Sequence, residues 1–231
     1  MKEGTTTCYM CGASASGREH VPPRCFFPRS RDRIDGQDFR TKLQTVQSCN
    51  IHNSGKSKDD EYFLNVVTSL ESINEVGRNH YRNQIRRQNE RNPSILARFA
   101  GRAVEVDGRF GHEIEISRVD SFVDHFARGL YFLHYSKKWQ EEVRWFPEFL
   151  ARPPPHSEEE TTRVETIQKN NQLFHDAGFH GSNPDVFKYQ VVESLPLRRI
   201  RVHFYEGCKF YLEFQDAKRP KHNKALRRTS R

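Results

Sequence analysis

The sequence has no apolar run approaching the roughly 20 residues that a membrane-spanning helix needs, and its mean hydropathy is −0.89. Its first residues lack the apolar stretch of a secretory signal and the Arg-rich amphipathic pattern of a transit peptide. These absences argue against a membrane protein and predict a soluble, cytoplasmic one.

Acidic side chains are fewer than basic ones: 30 Asp and Glu stand against 38 Lys and Arg, which gives a formal net charge of +8. A cationic surface gains affinity for polyanions because binding releases counter-ions from phosphates. The balance therefore favours a nucleic-acid partner, although many basic proteins bind none. The length of 231 residues suits a small module joined to a larger domain.

Cysteine is scarce, at five residues, but four of them lie within the first 49 positions. In a reducing compartment such a cluster favours metal ligation over disulfide pairing. Cys8 and Cys11 form a CxxC pair, and Cys49 with His52 repeats this spacing. We predict a Cys3His zinc site; in the alternative, Cys49 and His52 are unrelated loop residues. Cys25 has no partner at ligand spacing and is predicted to be a free, buried thiol.

Polar residues flank the two half-sites in a recognisable order. Glu19 and His20 precede Val21-Pro22 between the half-sites, and Asn53 and Lys56 follow the second one. With the cysteines, this pattern resembles the HNH endonuclease family in its zinc-bound ββα-metal branch. The resemblance covers about residues 5–62, roughly a quarter of the chain.

The resemblance implies a role for each residue. His20 would be the general base, Glu19 and Asn53 would hold a catalytic Mg2+ or Mn2+ ion, and Lys56 would contact phosphate. The four half-site residues would hold a structural Zn2+. These residue types suit the chemistry, because imidazole titrates near neutral pH and hard divalent ions prefer oxygen ligands.

Each role has an ordinary alternative. His20 can be a solvated or salt-bridged histidine, Asn53 can cap a helix that begins near Ser57, and Lys56 can be a surface lysine. The sequence also departs from the family pattern at three points. Glu19 replaces the more frequent Asp, and His52 replaces a fourth cysteine. The Asn that the family has several residues before the second half-site is missing, and Gln44 or Thr45 can serve in its place.

The remaining chain predicts an α+β fold, in which the ββα-metal zinc module is followed by a mixed helical and antiparallel-sheet domain. We expect a nuclease module at 1–65, an accessory domain for substrate or partner binding at 66–217, and a basic, disordered tail at 218–231. Periodicity and turn residues predict the elements of the accessory part. They are a helix with a buried face from Phe63 to Ile73, a basic segment at 78–91, a hairpin around Asp107-Gly108, a helix capped by Ser117, an extended connector at 152–155, a helix at 157–176, and strands at 186–192, 199–205 and 208–214.

The resemblance also suggests partners. DNA is the expected substrate, with RNA as the second candidate. HNH modules of this size occur in bacterial anti-phage defence systems, in which the nuclease works beside an ATPase, so such a protein is a candidate partner. The competing hypothesis is a non-catalytic zinc module that binds nucleic acid or another protein.

Overall fold

The computed structural model describes residues 6–32, 36–92, 103–106, 109–150 and 156–216. Within them the chain forms helices and antiparallel sheets, so the predicted α+β class is confirmed. The predicted connector at 152–155, the Asp107-Gly108 turn and the tail at 218–231 lie outside the described residues.

The N-terminal part contains a small hairpin followed by helix. Strand β1 (Gly17–His20) pairs antiparallel with β2 (Thr45–Ser48), with Glu19 opposite Val46 and His20 opposite Thr45. Helix α1 (Asn50–Ser54) follows at once, and α2 (Ser57–Thr68) continues after a two-residue step. This order brings both half-sites and the polar residues between them into one compact segment.

The rest of the described chain adds helices around a second, larger sheet. Its helices are α3 (Glu75–His80), which continues through a π-helical turn (Tyr81–Ile85) into α4 (Arg86–Arg91), then α5 (Ile116–Tyr135) and α6 (Glu158–Leu173). Its strands are the hairpin β3 (Ala103–Val106) and β4 (Arg109–His112), then β5 (Arg144–Pro147), β6 (Phe179–Asn183), β7 (Phe187–Ser194), β8 (Leu197–Phe204) and β9 (Cys208–Gln215). The last five strands form one antiparallel sheet in the order β5-β9-β8-β7-β6.

No helix in the described part of the chain has the length and apolar character needed to cross a membrane.

Helix α5 and the sheet share an aromatic core with the N-terminal part. Phe126 of α5 lies 5.6 Å from Phe204 of β8, measured between ring centroids. Phe26 lies 4.7 Å from the same Phe204 ring, and Phe63 stacks on Phe122 at 4.2 Å. One cluster of buried side chains therefore runs across the expected boundary at residue 65. The two parts stabilise each other through this shared core.

Several sequence predictions need adjustment. The helix predicted to reach Ile73 is shorter than expected, because α2 ends at Thr68. Ile73 is buried, but it lies in the loop after the helix. Ser117 lies inside the first turn of α5, whose N-cap is Glu115, because the chain already turns helical at Ile116. Strands β5 and β6 were not expected, since β5 is short and β6 is almost wholly exposed and lacks alternation.

Two buried histidines should make the fold sensitive to acid. Burial, with Arg40 nearby, lowers the pKa of His80 to about 4, and burial with Arg201 nearby lowers the pKa of His203 to about 3. In the unfolded chain a histidine has a pKa of about 6.5. Below that pH the unfolded chain therefore binds protons at these histidines, whereas the folded chain leaves them neutral. Stability is therefore lost as pH falls, by about 2 kcal/mol per histidine between pH ~7 and ~5.

The variant His80→Gln tests this prediction, because glutamine keeps a polar partner for the Tyr205 hydroxyl, which lies 2.7 Å from His80 Nδ1. Urea unfolding at both pH values should show a loss in the wild type that exceeds the loss in the variant by about 2 kcal/mol. Acid release of a metal would affect both proteins alike. Equal losses would contradict the assignment to His80.

Candidate metal centre and adjoining polar site

The predicted half-sites come together in space. One ligand atom from each of Cys8, Cys11, Cys49 and His52 lies within 4.8 Å of the others, and this group can hold a metal ion such as zinc. Cys8 Sγ and Cys49 Sγ lie 3.5 and 3.3 Å from His52 Nδ1. Cys11 Sγ lies 3.9 Å from Cys49 Sγ, far longer than a disulfide bond.

These separations match a tetrahedral ion. Zn–S bonds of about 2.3 Å and Zn–N bonds of about 2.0 Å imply sulfur–sulfur separations near ~3.8 Å and sulfur–nitrogen separations near ~3.5 Å. The donor set, three thiols and an imidazole nitrogen, is also one that zinc accepts. The chemistry and spacing of the site therefore fit zinc.

Local backbone structure explains how the ligands meet. Cys8 begins a tight turn closed by its N–H to the Ala13 carbonyl at 2.9 Å, and the Tyr9 N–H donates to Gln47 of β2 at 2.8 Å. The turn thus lies along the strand that leads into Cys49. Cys49 is the N-cap residue of α1 and His52 lies one turn later, so both face the same side.

Ionisation of Cys8 is favoured by hydrogen bonds. Burial alone would raise the pKa of Cys8, but backbone N–H groups, led by that of Met10 at 3.5 Å, and the His52 ring lower it to about 6. The thiolate is the form that ligates metal. The hydrogen bonds of the turn therefore favour the thiolate form of Cys8.

Glu19 and His20 point to opposite faces of β1. Glu19 is 5% exposed, whereas His20 is half-buried. A Cβ on Gly17 would lie 3.6 Å from Asn53 Nδ2, and strand alternation puts Glu19 on that same face. The Asn53 side chain donates to the Arg18 carbonyl at 3.5 Å. Glu19 and Asn53 therefore share the face covered by α1, and His20 lies on the other.

A buried ion-pair network occupies the Glu19 face. Lys56 Nζ lies 2.5 Å from Glu19 Oε1 and 3.2 Å from Asp60 Oδ1, and all three residues are less than 9% exposed. The location of Lys56 differs from the exposed position expected of a phosphate contact. Its side chain is turned inward because two buried carboxylates attract it.

One cation serves two carboxylates in this network. The Asp60 and Glu19 charges keep the pKa of Lys56 above its usual value despite burial. Burial raises the pKa of Glu19 and that of Asp60, against the attraction of Lys56. Removing Lys56 would therefore leave two carboxylates that strongly resist ionisation.

His20 lies among cations. Burial is the largest cause of the lowered pKa of His20, and the charges of Arg24 and Arg40 lower that pKa further. The ring is therefore neutral and can accept a proton at neutral pH. The residue opposite His20 on β2 is Thr45, one of the two substitutes considered for the missing Asn. The other, Gln44, is exposed, and its backbone carbonyl accepts from the Val21 N–H.

Sequence reasoning missed residues that support the site. Asp60 follows Lys56 by one helical turn, and this spacing could have indicated their pairing. Tyr9 is fully buried and its hydroxyl lies 3.5 Å from the His125 carbonyl. Lys138 donates to the Cys11 carbonyl at 2.7 Å and so fastens the first half-site to the segment after α5. No local sequence pattern predicts a contact between residues so far apart in the chain.

The alternative role considered for Asn53, capping the helix that begins at Ser57, is wrong. The N-cap residue of α2 is Lys56.

Comparison with protein-family models, curated proteins and solved structures gave no match.

Proposed function

We propose that this protein is a metal-dependent endonuclease of the HNH type, which hydrolyses phosphodiester bonds in DNA. One observation carries the proposal. The Cys3His group holds β1, which ends at His20, against α1, which carries Asn53. Binding nucleic acid alone would not need this combination of an imidazole and an amide on a metal-stapled hairpin and helix.

Zn2+ is the proposed structural ion, held by the Cys3His group. It would fix the positions of the hairpin and α1 and take no part in the reaction. The Cys8 hydrogen bonds and the tetrahedral spacing support this assignment.

His20 is the proposed general base. Its ring is half-buried and kept neutral by burial and by Arg24 and Arg40. It can therefore take a proton from an attacking water at neutral pH. It is the last residue of β1 and lies on the face opposite Glu19 and Asn53. The proposed mechanism therefore requires the scissile phosphate to bind at the end of the strand, where the ring of His20 and an ion on the other face can both reach it.

Asn53 and Glu19 are the proposed ligands of Mg2+ or Mn2+. Both side chains lie on the face of β1 that α1 covers. An ion held by their oxygen atoms would neutralise charge on the phosphate and on the leaving oxygen. Asn53 is half-buried, and its amide nitrogen donates to the Arg18 carbonyl, which leaves its amide oxygen available as a ligand. Glu19 becomes available only when its carboxylate exchanges Lys56 for the ion.

A second candidate function is supported by that ion pair. If Glu19 stays with Lys56, the hairpin keeps its stapled shape without an ion-binding carboxylate. The protein would then be a zinc module that binds nucleic acid or a partner without cutting. The resemblance alone extends the nuclease proposal to anti-phage defence beside an ATPase.

A cleavage assay distinguishes the two candidates. Plasmid and single-stranded DNA and RNA are incubated with the zinc-loaded protein and Mg2+ or Mn2+. His20→Ala should lower the cleavage rate about 10²–10⁴-fold, the usual contribution of a general base, while nucleic-acid binding measured by fluorescence anisotropy stays unchanged. His175→Ala is the matched control, because His175 is exposed and, in the part of the chain that the structure describes, its side chain pairs with its neighbour Asp176. No cleavage by the wild type, or full cleavage by His20→Ala, would refute the proposed mechanism.

A further inference from the structure

The long loop between β1 and β2 carries three arginines, Arg24, Arg29 and Arg40, with one carboxylate close by: Asp38 accepts from the Arg40 backbone N–H at 3.0 Å. Arg24 and Arg29 are exposed, and neither forms an ion pair with a carboxylate among the residues that the structure describes. Arg40 is half-buried and its Nε donates to the Phe27 carbonyl at 2.9 Å. Several other exposed arginines do pair with acids, for example Arg86 with Glu90 at 2.9 Å.

Backbone contacts hold the described parts of this loop in place. Phe27 donates its N–H to the Arg24 carbonyl at 3.2 Å and accepts from Arg40 on its own carbonyl, so these two arginines flank one residue. Phe26 and Phe39 are buried in the core and anchor the loop from below. The guanidinium groups therefore sit on a supported surface and not on a free chain.

The cluster adjoins His20. Only three residues separate His20 from Arg24, and the Val21 N–H donates to the Gln44 carbonyl at 3.1 Å, which closes the loop at the same end of the hairpin. Burial lowers the pKa of Arg40, and the charges of Arg24 and Arg29 lower it further. The pKa of His20 is lowered in the same way, by burial and then by Arg24 and Arg40. These groups are thus close enough to repel one another.

We infer that Arg24, Arg29 and Arg40 form a phosphate-binding site that holds the nucleic-acid backbone beside His20. This inference rests on the proposed function for its ligand class. Clustered guanidinium groups that form no ion pair with a carboxylate in the described part of the chain favour a polyanion, because phosphate oxygens accept their N–H groups in bidentate pairs. Contacts of this kind position a backbone without reading the bases.

Binding measured as a function of salt tests the site. The probe is a fluorescent 20-base-pair DNA duplex, with Ca2+ replacing Mg2+ so that zinc is kept and cutting is suppressed. Arg24→Gln and Arg29→Gln should each weaken binding about equally for unrelated sequences and reduce the slope of log K against log salt by about 1. The double variant should reduce it by about 2.

The control is Arg144→Gln. Arg144 is exposed on β5, at the edge of the sheet opposite β6, and β6 is the strand that contacts the loop through Ser182 and the Lys42 carbonyl at 3.0 Å. This variant should leave the affinity and the salt slope unchanged. Arg40→Gln is added with a thermal melt, because loss of its bond to Phe27 can affect folding, and the other two variants carry the test if it unfolds.

The outcomes separate this inference from the nuclease proposal. Loss of affinity and slope in the loop variants supports the site even if the wild type never cuts DNA. Unchanged affinity in folded loop variants, or an equal effect of Arg144→Gln, overturns the site even if His20→Ala abolishes cutting. A wild type that binds no duplex or single strand overturns it as well.

Discussion

Exchange of Cys8 for alanine should release the proposed zinc and unfold the N-terminal segment. The thiol is fully buried in the Cys3His group, and a structural zinc site contributes on the order of 10 kcal/mol to the folding of a small module. Loss of one ligand should remove most of that contribution. Elemental analysis should find about one zinc per wild-type chain and much less than one in the variant.

The effect should reach beyond the hairpin. Tyr9 and Phe26 belong to the same buried cluster as Phe204 of the large sheet, so a disordered N-terminal segment exposes part of the shared core. We expect a lower melting temperature for the whole chain, together with rapid proteolysis near residues 6–56. Limited proteolysis followed by mass spectrometry locates the cuts.

Cys25→Ala is the matched control for this experiment. Cys25 lies outside the Cys3His group, and burial raises the pKa of its thiol. The variant should keep zinc and retain the resistance of the N-terminal segment to protease. A Cys8→Ala protein that lacks zinc yet melts like the wild type would disprove the structural role of the ion.

Replacement of Lys56 by methionine should destabilise the protein by about 3–5 kcal/mol, because removing one partner of a buried ion pair leaves an uncompensated charge. Lys56 contacts Glu19 and Asp60 at 2.5 and 3.2 Å. Without it these buried carboxylates must either stay charged without a counter-ion or take up protons at pH 7, and both cost stability. Methionine fills a similar volume, so the loss would come from electrostatics and not from a cavity. Urea unfolding at pH 7 measures the change.

Two further variants isolate the cause. Lys58→Met removes an exposed lysine from the same helix and should change stability by less than about 0.5 kcal/mol. A triple variant, Lys56→Met with Glu19→Gln and Asp60→Asn, should recover most of the loss because no charge is left unpaired. If Lys56 were instead an exposed phosphate contact, Lys56→Met would weaken DNA binding and leave stability unchanged.

Local patterns predicted the metal ligands well. Two residues between ligands fix the geometry of a turn, so Cys8 with Cys11 and Cys49 with His52 could be recognised without a fold. The same holds for the hairpin of β8 and β9 around Glu206-Gly207. In each case the atoms that interact are few residues apart.

The polar site was predicted less well. Alternation along β1 shows that Glu19 and His20 face opposite ways, but it does not say which face is covered. Packing of α1 and α2 decides this, and it buries Glu19 with Lys56 and leaves His20 among arginines from a loop that carries no family motif. Strand β6 was missed for a related reason, since its pairing with β7 depends on a neighbour and not on its own sequence.

The Cys3His group thus follows from the sequence by itself, because its ligand spacing and donor chemistry are local properties. The sequence also determined the α+β class and the three long C-terminal strands through their periodicity. Only the tertiary structure decided that Lys56 is an interior cation, that Arg24 and Arg40 adjoin His20, and that one core joins the two parts of the chain. Burial and long-range electrostatics depend on residues far apart in sequence, and no local pattern encodes them.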